Sequence, residues 1–154
     1  MASGLPDYYR GVDVAYQALA QVTNRPKYGG ALELYGSVVV TANFTTGLAE
    51  VSGKGMIYGG LVYLDHAATQ ASGIPGVIVD GNVIAGITFT RMNKYNVSKS
   101  WAYPLYLLSY DDVNFVYSCA ASYGITFESS FKLVYNEAEG ATPRVYYDFV
   151  YALI

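Results

Sequence analysis

The residues that could carry out chemistry are few, and they match no known catalytic pattern. The only histidine, His66, directly follows Asp65. Neighbouring residues of a strand point to opposite faces, so these two side chains are poorly placed to chelate one metal ion. A Ser-His-Asp triad would also need a nucleophile, and the chain has no G-x-S-x-G turn to present one. We therefore interpret His66 as a structural or surface histidine.

Acidic residues provide two further candidates. Asp111 and Asp112, with Asn114, offer oxygen ligands of the kind that Ca²⁺ takes. The spacing of an EF-hand is absent, and Asp and Asn in this pattern are typical of a turn that hydrogen-bonds its own backbone. Glu128 would need a second carboxylate about 5 to 10 Å away to act as a glycosidase. We predict a turn at residues 111–114, no metal site and no catalytic residue.

Cysteine and glycine patterns indicate neither redox nor cofactor chemistry. Cys119 is the single cysteine, which excludes an internal disulfide, and in "VYSCAAS" it is interpreted as a small buried side chain. The 16 glycines form no G-x-G-x-x-G motif and no phosphate-binding loop. We predict that the protein is not an enzyme and binds no cofactor.

An aromatic cluster is the candidate for ligand binding. In "SWAYPLYLLSY", Trp101, Tyr103 and Tyr106 lie close together along the chain. Exposed rings of this kind can stack on sugars, which would make the protein a glycan- or receptor-binding module of the phage tail or fibre type. Aromatic clusters in β proteins also occur in the core or at subunit interfaces, and both readings stay open.

The composition favours a protein that associates with other chains. Charged residues make up 14% of the chain, against roughly 25% in an average soluble domain, while 17 residues are tyrosine. Tyrosine is enriched at interfaces, so part of the surface is expected to be covered in a homo-oligomer. The net charge of -3 argues against a nucleic-acid partner. No apolar run approaches 18 residues, so no membrane partner is expected either.

The pattern of apolar residues divides the chain into two parts. Residues 1–30 are predicted to form an N-terminal arm with a short helix near residues 12–23, because apolar residues recur there at helical spacing. Residues 31–154 are predicted to form one mainly β domain, an antiparallel β-sandwich or barrel of jelly-roll type. Seven to nine strands are expected, with a polar loop over residues 93–100.

Local features of the β-rich part lead to three predictions. Asp80 and Gly81 suit the positive φ angles of a tight hairpin between two β-prone runs. Gly36, and the pair at residues 59–60, are predicted to mark a bend or bulge in their strands. In residues 125–135, every second side chain is predicted to lie on one face of a single strand, with a dry side.

The chain finishes on "RVYYDFVYALI", which alternates in a way that predicts a long final strand. Five side chains, at alternate positions from Val145 to Leu153, face one way, and those from Tyr146 to Ile154 face the other. Both sets are rich in apolar residues, which predicts a central strand covered on both faces. An uncovered edge strand of this kind would favour aggregation. The candidate interface residues are Tyr146, Tyr147, Phe149, Tyr151 and Ile154.

In overall character the chain resembles small structural proteins of tailed-phage virions, especially capsid decoration (cement) proteins. The likeness covers all 154 residues and rests on low charge, many Tyr, Gly, Ala and Val residues and the lack of a catalytic constellation. It implies a virion location, a capsid or other virion protein as partner, and a homo-oligomer, with a trimer favoured. The segment "MASGLPDYYRG" would then be a docking arm.

Overall fold

The computed structural model describes residues 30–64, 69–99 and 103–154. The helix predicted near residues 12–23 lies outside these residues, as do Asp65, His66 and Trp101. Within the described ranges, no helix has the length and apolar character needed to cross a membrane.

The described part of the chain contains ten strands, one more than the upper limit of the seven to nine predicted, and one short helix. The strands are β1 (Leu32–Val39), β2 (Thr45–Ser52), β3 (Gly55–Leu64), β4 (Ile74–Val79), β5 (Asn82–Gly86), β6 (Leu105–Asp111), β7 (Val116–Ala121), β8 (Ile125–Phe127), β9 (Ser130–Asn136) and β10 (Arg144–Leu153). The helix, α1, spans Phe89–Lys94.

The strands form two antiparallel sheets that enclose the core. Sheet I has the order β1-β10-β3-β7-β6, and β8 pairs with the first residues of β3. Sheet II has the order β2-β9-β4-β5. Large side chains from both sheets, among them Tyr117, Phe131 and Phe149, are fully buried between them. The predicted antiparallel β-sandwich is therefore confirmed, and the two separate sheets do not close into a barrel.

β10 is a central strand, as predicted, because it pairs with β1 on one side and β3 on the other. Its first set of side chains faces the core: Val145 and Phe149 are fully buried, and the others pack against them. The second set is only partly covered. Ala152 is buried, whereas Asp148 and Val150 are exposed. The prediction of cover on both faces is thus wrong for most of this second face.

The hairpin predicted at Asp80 and Gly81 is confirmed. These two residues join β4 to β5 with φ angles of 50° and 81°. The Asp80 carboxylate also accepts hydrogen bonds from the backbone N–H groups of Glu128, Ser130 and Ser129, at 2.7 to 3.1 Å. These bonds stabilise the charged form and hold the pKa of Asp80 well below its usual range. The turn therefore anchors the crossing between the two sheets.

That crossing corrects the prediction of one continuous strand over residues 125–135. The segment splits into β8 in sheet I and β9 in sheet II, with Glu128 and Ser129 between them. Phe127 and Phe131 still share the core, with ring centroids 6.2 Å apart, because the two sheets face each other. Alternation alone does not reveal a change of sheet when both inner faces are apolar.

The glycines behave differently from one another. β3 carries an extra residue, Tyr58, opposite the Val150–Tyr151 step of β10, so the predicted bulge beside Gly59 is confirmed. β1 contains no bulge at Gly36. Instead, a Cβ at Gly36 would lie 2.7 Å from the Tyr147 hydroxyl, so the glycine leaves room for that ring.

The helix α1 was not predicted. Its last two residues, 93 and 94, fall within the polar loop predicted over residues 93–100. Thr88 caps its first turn, since the Thr88 hydroxyl accepts the N–H of Arg91 at 3.1 Å. Phe89 and Met92 are fully buried and attach the helix to the core.

Candidate functional site

The outward surface of sheet I carries a cluster of tyrosines that cross-strand pairing brings together. Residues that are paired across neighbouring strands form rows running across the sheet. In one row, Tyr35 of β1 is opposite Asp148 of β10. In the next row on the same face, Tyr146 of β10 is opposite Tyr63 of β3. The alternate positions of these strands point to the core, so the pleat presents all four side chains on the outside. We call this surface the tyrosine face: Glu33, Tyr35, Ser37, Tyr63, Tyr146 and Asp148.

The tyrosine face surrounds an open cleft of about 400 Å³. The rings of Tyr63 and Tyr146 stack with centroids 5.0 Å apart and an interplanar angle of 10°. Tyr35 is 71% exposed, and the Glu33 and Asp148 carboxylates lie at the same surface. Tyrosine combines a large apolar ring with a hydroxyl, so this surface suits contact with another protein or a sugar.

A basic side chain borders the tyrosine face. Arg144 Nη1 donates a hydrogen bond to Ser37 Oγ at 3.1 Å, although the Cα partner of Arg144 is Val39, two residues further along β1. The guanidinium therefore extends along the strand towards the face. The face thus combines aromatic rings with acidic and basic groups at separate places.

The structure separates the five candidate interface residues. Tyr146 lies on the tyrosine face, and Ile154 is exposed at the end of the chain. Tyr147 and Tyr151 are half-buried and pack against the core, and Tyr147 also lines the cleft. Phe149 is fully buried inside the sandwich, so it cannot contact another subunit, and its assignment to an interface is corrected. Its apolar character serves the core instead.

The aromatic platform predicted around Trp101 is not assembled by the described residues. Trp101 lies outside them, and the hydroxyl of Tyr103 accepts the N–H of Gly86 at 3.2 Å while its ring packs against the core. Tyr106 is opposite Ala120, in the same row of sheet I as Asp148. Tyr106 therefore belongs to the outward surface of sheet I, whereas Tyr103 packs towards sheet II.

The acidic candidates are used structurally. The Asp111 carboxylate accepts from the side chain of Asn114 and from the N–H groups of Asn114 and Val113, and these bonds lower its pKa. The predicted turn at residues 111–114 is thus confirmed. Asp112 accepts hydrogen bonds from the hydroxyls of Tyr117 and Thr69. Glu128 forms an exposed ion pair with Lys54, at 2.7 Å.

The other reactive groups follow the same pattern. Cys119 is fully buried in β7, and burial raises the pKa of its thiol. This agrees with the prediction of a small buried side chain. Across residues 30–64, 69–99 and 103–154, no three His, Cys, Asp or Glu side chains lie close enough together to hold a metal ion.

Sequence reasoning missed a buried polar cluster at one end of the sandwich. Glu137, only 1% exposed, accepts hydrogen bonds from the Asn43 N–H, the Gln70 amide and the Glu139 N–H, at 2.7 to 3.1 Å. Burial alone would raise the pKa of Glu137, but these bonds outweigh it and lower the pKa to about 2. The Tyr135 hydroxyl donates to Gln70 Oε1 at 2.8 Å, which completes the cluster. Its role is to join three loops.

Comparisons with known proteins give little information about function. No protein-family model and no curated protein matches the chain. Among solved structures, the serine protease of Aeromonas sobria matches with a TM-score of 0.41 and 8% identity, over 88% of this chain and 29% of the protease chain. The same protease with the chaperone ORF2 matches with a TM-score of 0.40 and 8% identity, over 87% and 29%. The chain spans less than a third of the solved chains that it matches, and a likeness of this degree carries no inference about activity.

Proposed function

We propose that this protein is a non-enzymatic structural protein of a virion, which decorates or stabilises a phage capsid by contacts through the tyrosine face. The observation that carries the proposal is the exposed cluster of Tyr35, Tyr63 and Tyr146 around a cleft of about 400 Å³. The compositional resemblance to capsid decoration proteins is the reason for proposing a capsid as the assembly. A homo-oligomer, with a trimer favoured, belongs to the same proposal.

The physical role would be mechanical. Each contact that forms only in the assembled state shifts the equilibrium towards assembly by mass action. Tyrosines at such a contact bury a large area and lose little side-chain entropy, because each has only two side-chain torsions. The carboxylates of Asp80, Asp111 and Glu137 accept hydrogen bonds from residues in turns and loops. These carboxylates therefore stabilise the fold, which supports a structural rather than a catalytic role.

The test replaces the stacked pair. In the variant Tyr63→Ser/Tyr146→Ser, the face loses two rings that the fold does not bury in its core. Truncation of an interface tyrosine costs on the order of 1 kcal/mol or more, so we expect self-association to weaken at least about tenfold. Solution mass by light scattering over a dilution series measures this.

Tyr95→Ser is the matched control, because Tyr95 is 66% exposed and lies after α1, away from the tyrosine face. It should leave the mass unchanged. Equal behaviour of the control and the double variant would show that the tyrosine face makes no contact between copies of this chain, and the homo-oligomer part of the proposal would then be wrong.

A second function uses the same cleft. A glycan- or receptor-binding module is favoured by the stacked rings beside the carboxylates of Glu33 and Asp148, since aromatic rings stack on sugars and carboxylates accept hydrogen bonds from sugar hydroxyls. It predicts that Tyr35→Ala removes binding in a glycan screen while the fold survives. Loss of binding in Trp101→Ala, with Tyr35→Ala unaffected, would return the site to the Trp101 cluster.

A further inference from the structure

The edge strands of the two sheets are not alike. β2, β5 and β6 each have one strand partner among the described residues. Each of them carries one extra residue, a β-bulge, relative to its partner strand: Leu48 in β2, Ile84 in β5 and Leu108 in β6. β8 is only three residues long. Bulges and short strands are the usual ways in which a sheet edge is protected from pairing with another chain. These four edges are therefore protected.

β1 lacks these protections. Its eight residues pair one to one with β10, from Leu32 opposite Tyr151 to Val39 opposite Arg144, without a register shift. The strand contains neither proline nor lysine. Leu32 and Val39 are 47% and 52% exposed, so apolar side chains remain open at this edge. A long, regular edge of this kind is a template for another strand.

We propose that β1 pairs antiparallel with β1 of a second copy of this chain, about a two-fold axis at Tyr35. Cross-strand partners share a face of a sheet, so the core-facing residues of one copy must meet core-facing residues of the other. Centring on Tyr35 satisfies this condition. It places Tyr35 opposite Tyr35, Leu32 opposite Val38 and Glu33 opposite Ser37 of the second copy.

Charge complementarity selects this register. Arg144 reaches Ser37 Oγ within its own chain, at 3.1 Å. Glu33 of the second copy lies opposite Ser37, so its carboxylate meets the Arg144 guanidinium, and the two-fold axis repeats the contact. Within one chain, Glu33 is six strand residues, or about 20 Å, from Val39, the β1 partner of Arg144, and four residues, or about 13 Å, from Ser37, which the guanidinium reaches. Glu33 and Arg144 therefore do not pair within one chain, whereas the two-fold axis brings Glu33 of one copy to Arg144 of the other.

This contact goes beyond the proposed function, because it pairs the backbone edge of β1, although three residues of the tyrosine face, Glu33, Tyr35 and Ser37, lie on that strand. It joins two sheets into one, with the tyrosine faces of both copies on the same side. Antiparallel pairing of identical strands is isologous and gives a dimer. Any larger homo-oligomer then requires a second contact.

The experiment reverses charges in the full chain. Glu33→Arg and Arg144→Glu should each weaken dimerisation by about tenfold, because two attractive cross-strand contacts become repulsive. The double variant Glu33→Arg/Arg144→Glu should dimerise as the wild type does. An equimolar mixture of the two single variants should also dimerise, since each contact then joins opposite charges. Sedimentation or light scattering over a dilution series measures all four.

Glu50→Arg is the control, since Glu50 is an exposed acid on the edge strand β2, ion-paired with Lys132 at 3.0 Å. It should not change the mass. Restored association in the mixture shows at once that both single variants are folded.

Several outcomes would overturn the inference. Single reversals that associate as the wild type does would show that something else covers β1, such as the chain's own residues 1–29. A double variant or a mixture as weak as the single variants would exclude this register. A trimer whose mass is unchanged by these charge reversals would show that the copies associate without β1 pairing, and the inference would be wrong. Charge dependence that persists in Tyr63→Ser/Tyr146→Ser separates this contact from the proposed function, so each can fail alone.

Discussion

Replacing the buried carboxylate Glu137 by glutamine should destabilise the fold in a way that depends on pH. Glu137 accepts the N–H groups of Asn43, Glu139 and Gly140 at 2.7 to 3.0 Å, and the Gln70 amide at 3.1 Å. A glutamine side chain has one acceptor oxygen, and its NH₂ group would face N–H donors. The three loops joined by the cluster would lose at least one charge-assisted bond each or be forced apart.

The size of the effect follows from the pKa. The surroundings lower the pKa of Glu137 from 4.5 to about 2, and one pKa unit is worth about 1.4 kcal/mol. The ionised form therefore contributes about 3 kcal/mol to the free energy of unfolding at neutral pH. Because the pKa in the folded state is lowered, this contribution is complete above about pH 4.5 and is lost as the pH falls towards 2.

Urea unfolding of Glu137→Gln and the wild type at pH 7, pH 4 and pH 2.5 would test this. We expect a difference of about 3 kcal/mol at pH 7, which corresponds to a fall in Tm of about 10 °C for a domain of this size. The difference should shrink at pH 4 and be small at pH 2.5. Glu139→Gln is the control, since Glu139 is exposed and its carboxylate accepts the Ser72 N–H at 3.0 Å. This variant should lose less than about 0.5 kcal/mol. A loss that is equal in both variants, or independent of pH, would refute the reasoning.

Three further outcomes are expected. Gly60→Ala should lower the free energy of unfolding, measured in urea, by about 1 to 3 kcal/mol, because its Cβ would lie 2.2 Å from the Phe149 ring. Gly47→Ala should lower it less, because nothing lies within 4 Å of a Cβ at that position. Equal losses in the two variants would be inconsistent with this packing. Deleting residues 150–154 should abolish folding, as judged by circular dichroism, because β10 pairs on both sides; a folded truncated chain would contradict this. Cys119 should resist a thiol reagent in the native protein and react fully in urea, and fast native labelling would show that it is not buried.

Features set by neighbouring residues could be predicted from the sequence. The β4–β5 hairpin depends on the ease with which Asp80 and Gly81 adopt positive φ angles. The bulge beside Gly59 depends on the fact that glycine has no side chain. The position of β10 inside a sheet was also predicted, from apolar residues on both of its faces, although only one of the two faces is well covered. The helix α1 was missed because six residues form less than two turns, too few for a periodic pattern.

Features set by register could not be predicted. The tyrosine face combines residues of β1, β3 and β10, among them Tyr35 and Tyr146, which are more than a hundred residues apart in the sequence. These residues lie together because their strands are neighbours in sheet I. Phe149 is apolar, which suits either the core or a subunit interface. It could be assigned to the core only once the structure showed which face of β10 is buried. The cluster around Glu137 likewise depends on three loops that are distant in the chain.

The most direct test of the account is the solution mass of the wild-type chain over a dilution series, by light scattering. One chain has a mass of 16.7 kDa. A structural protein that assembles through the tyrosine face and the β1 edge should have a mass of two or more chains at high concentration and dissociate on dilution. A mass of one chain at every concentration would contradict the account.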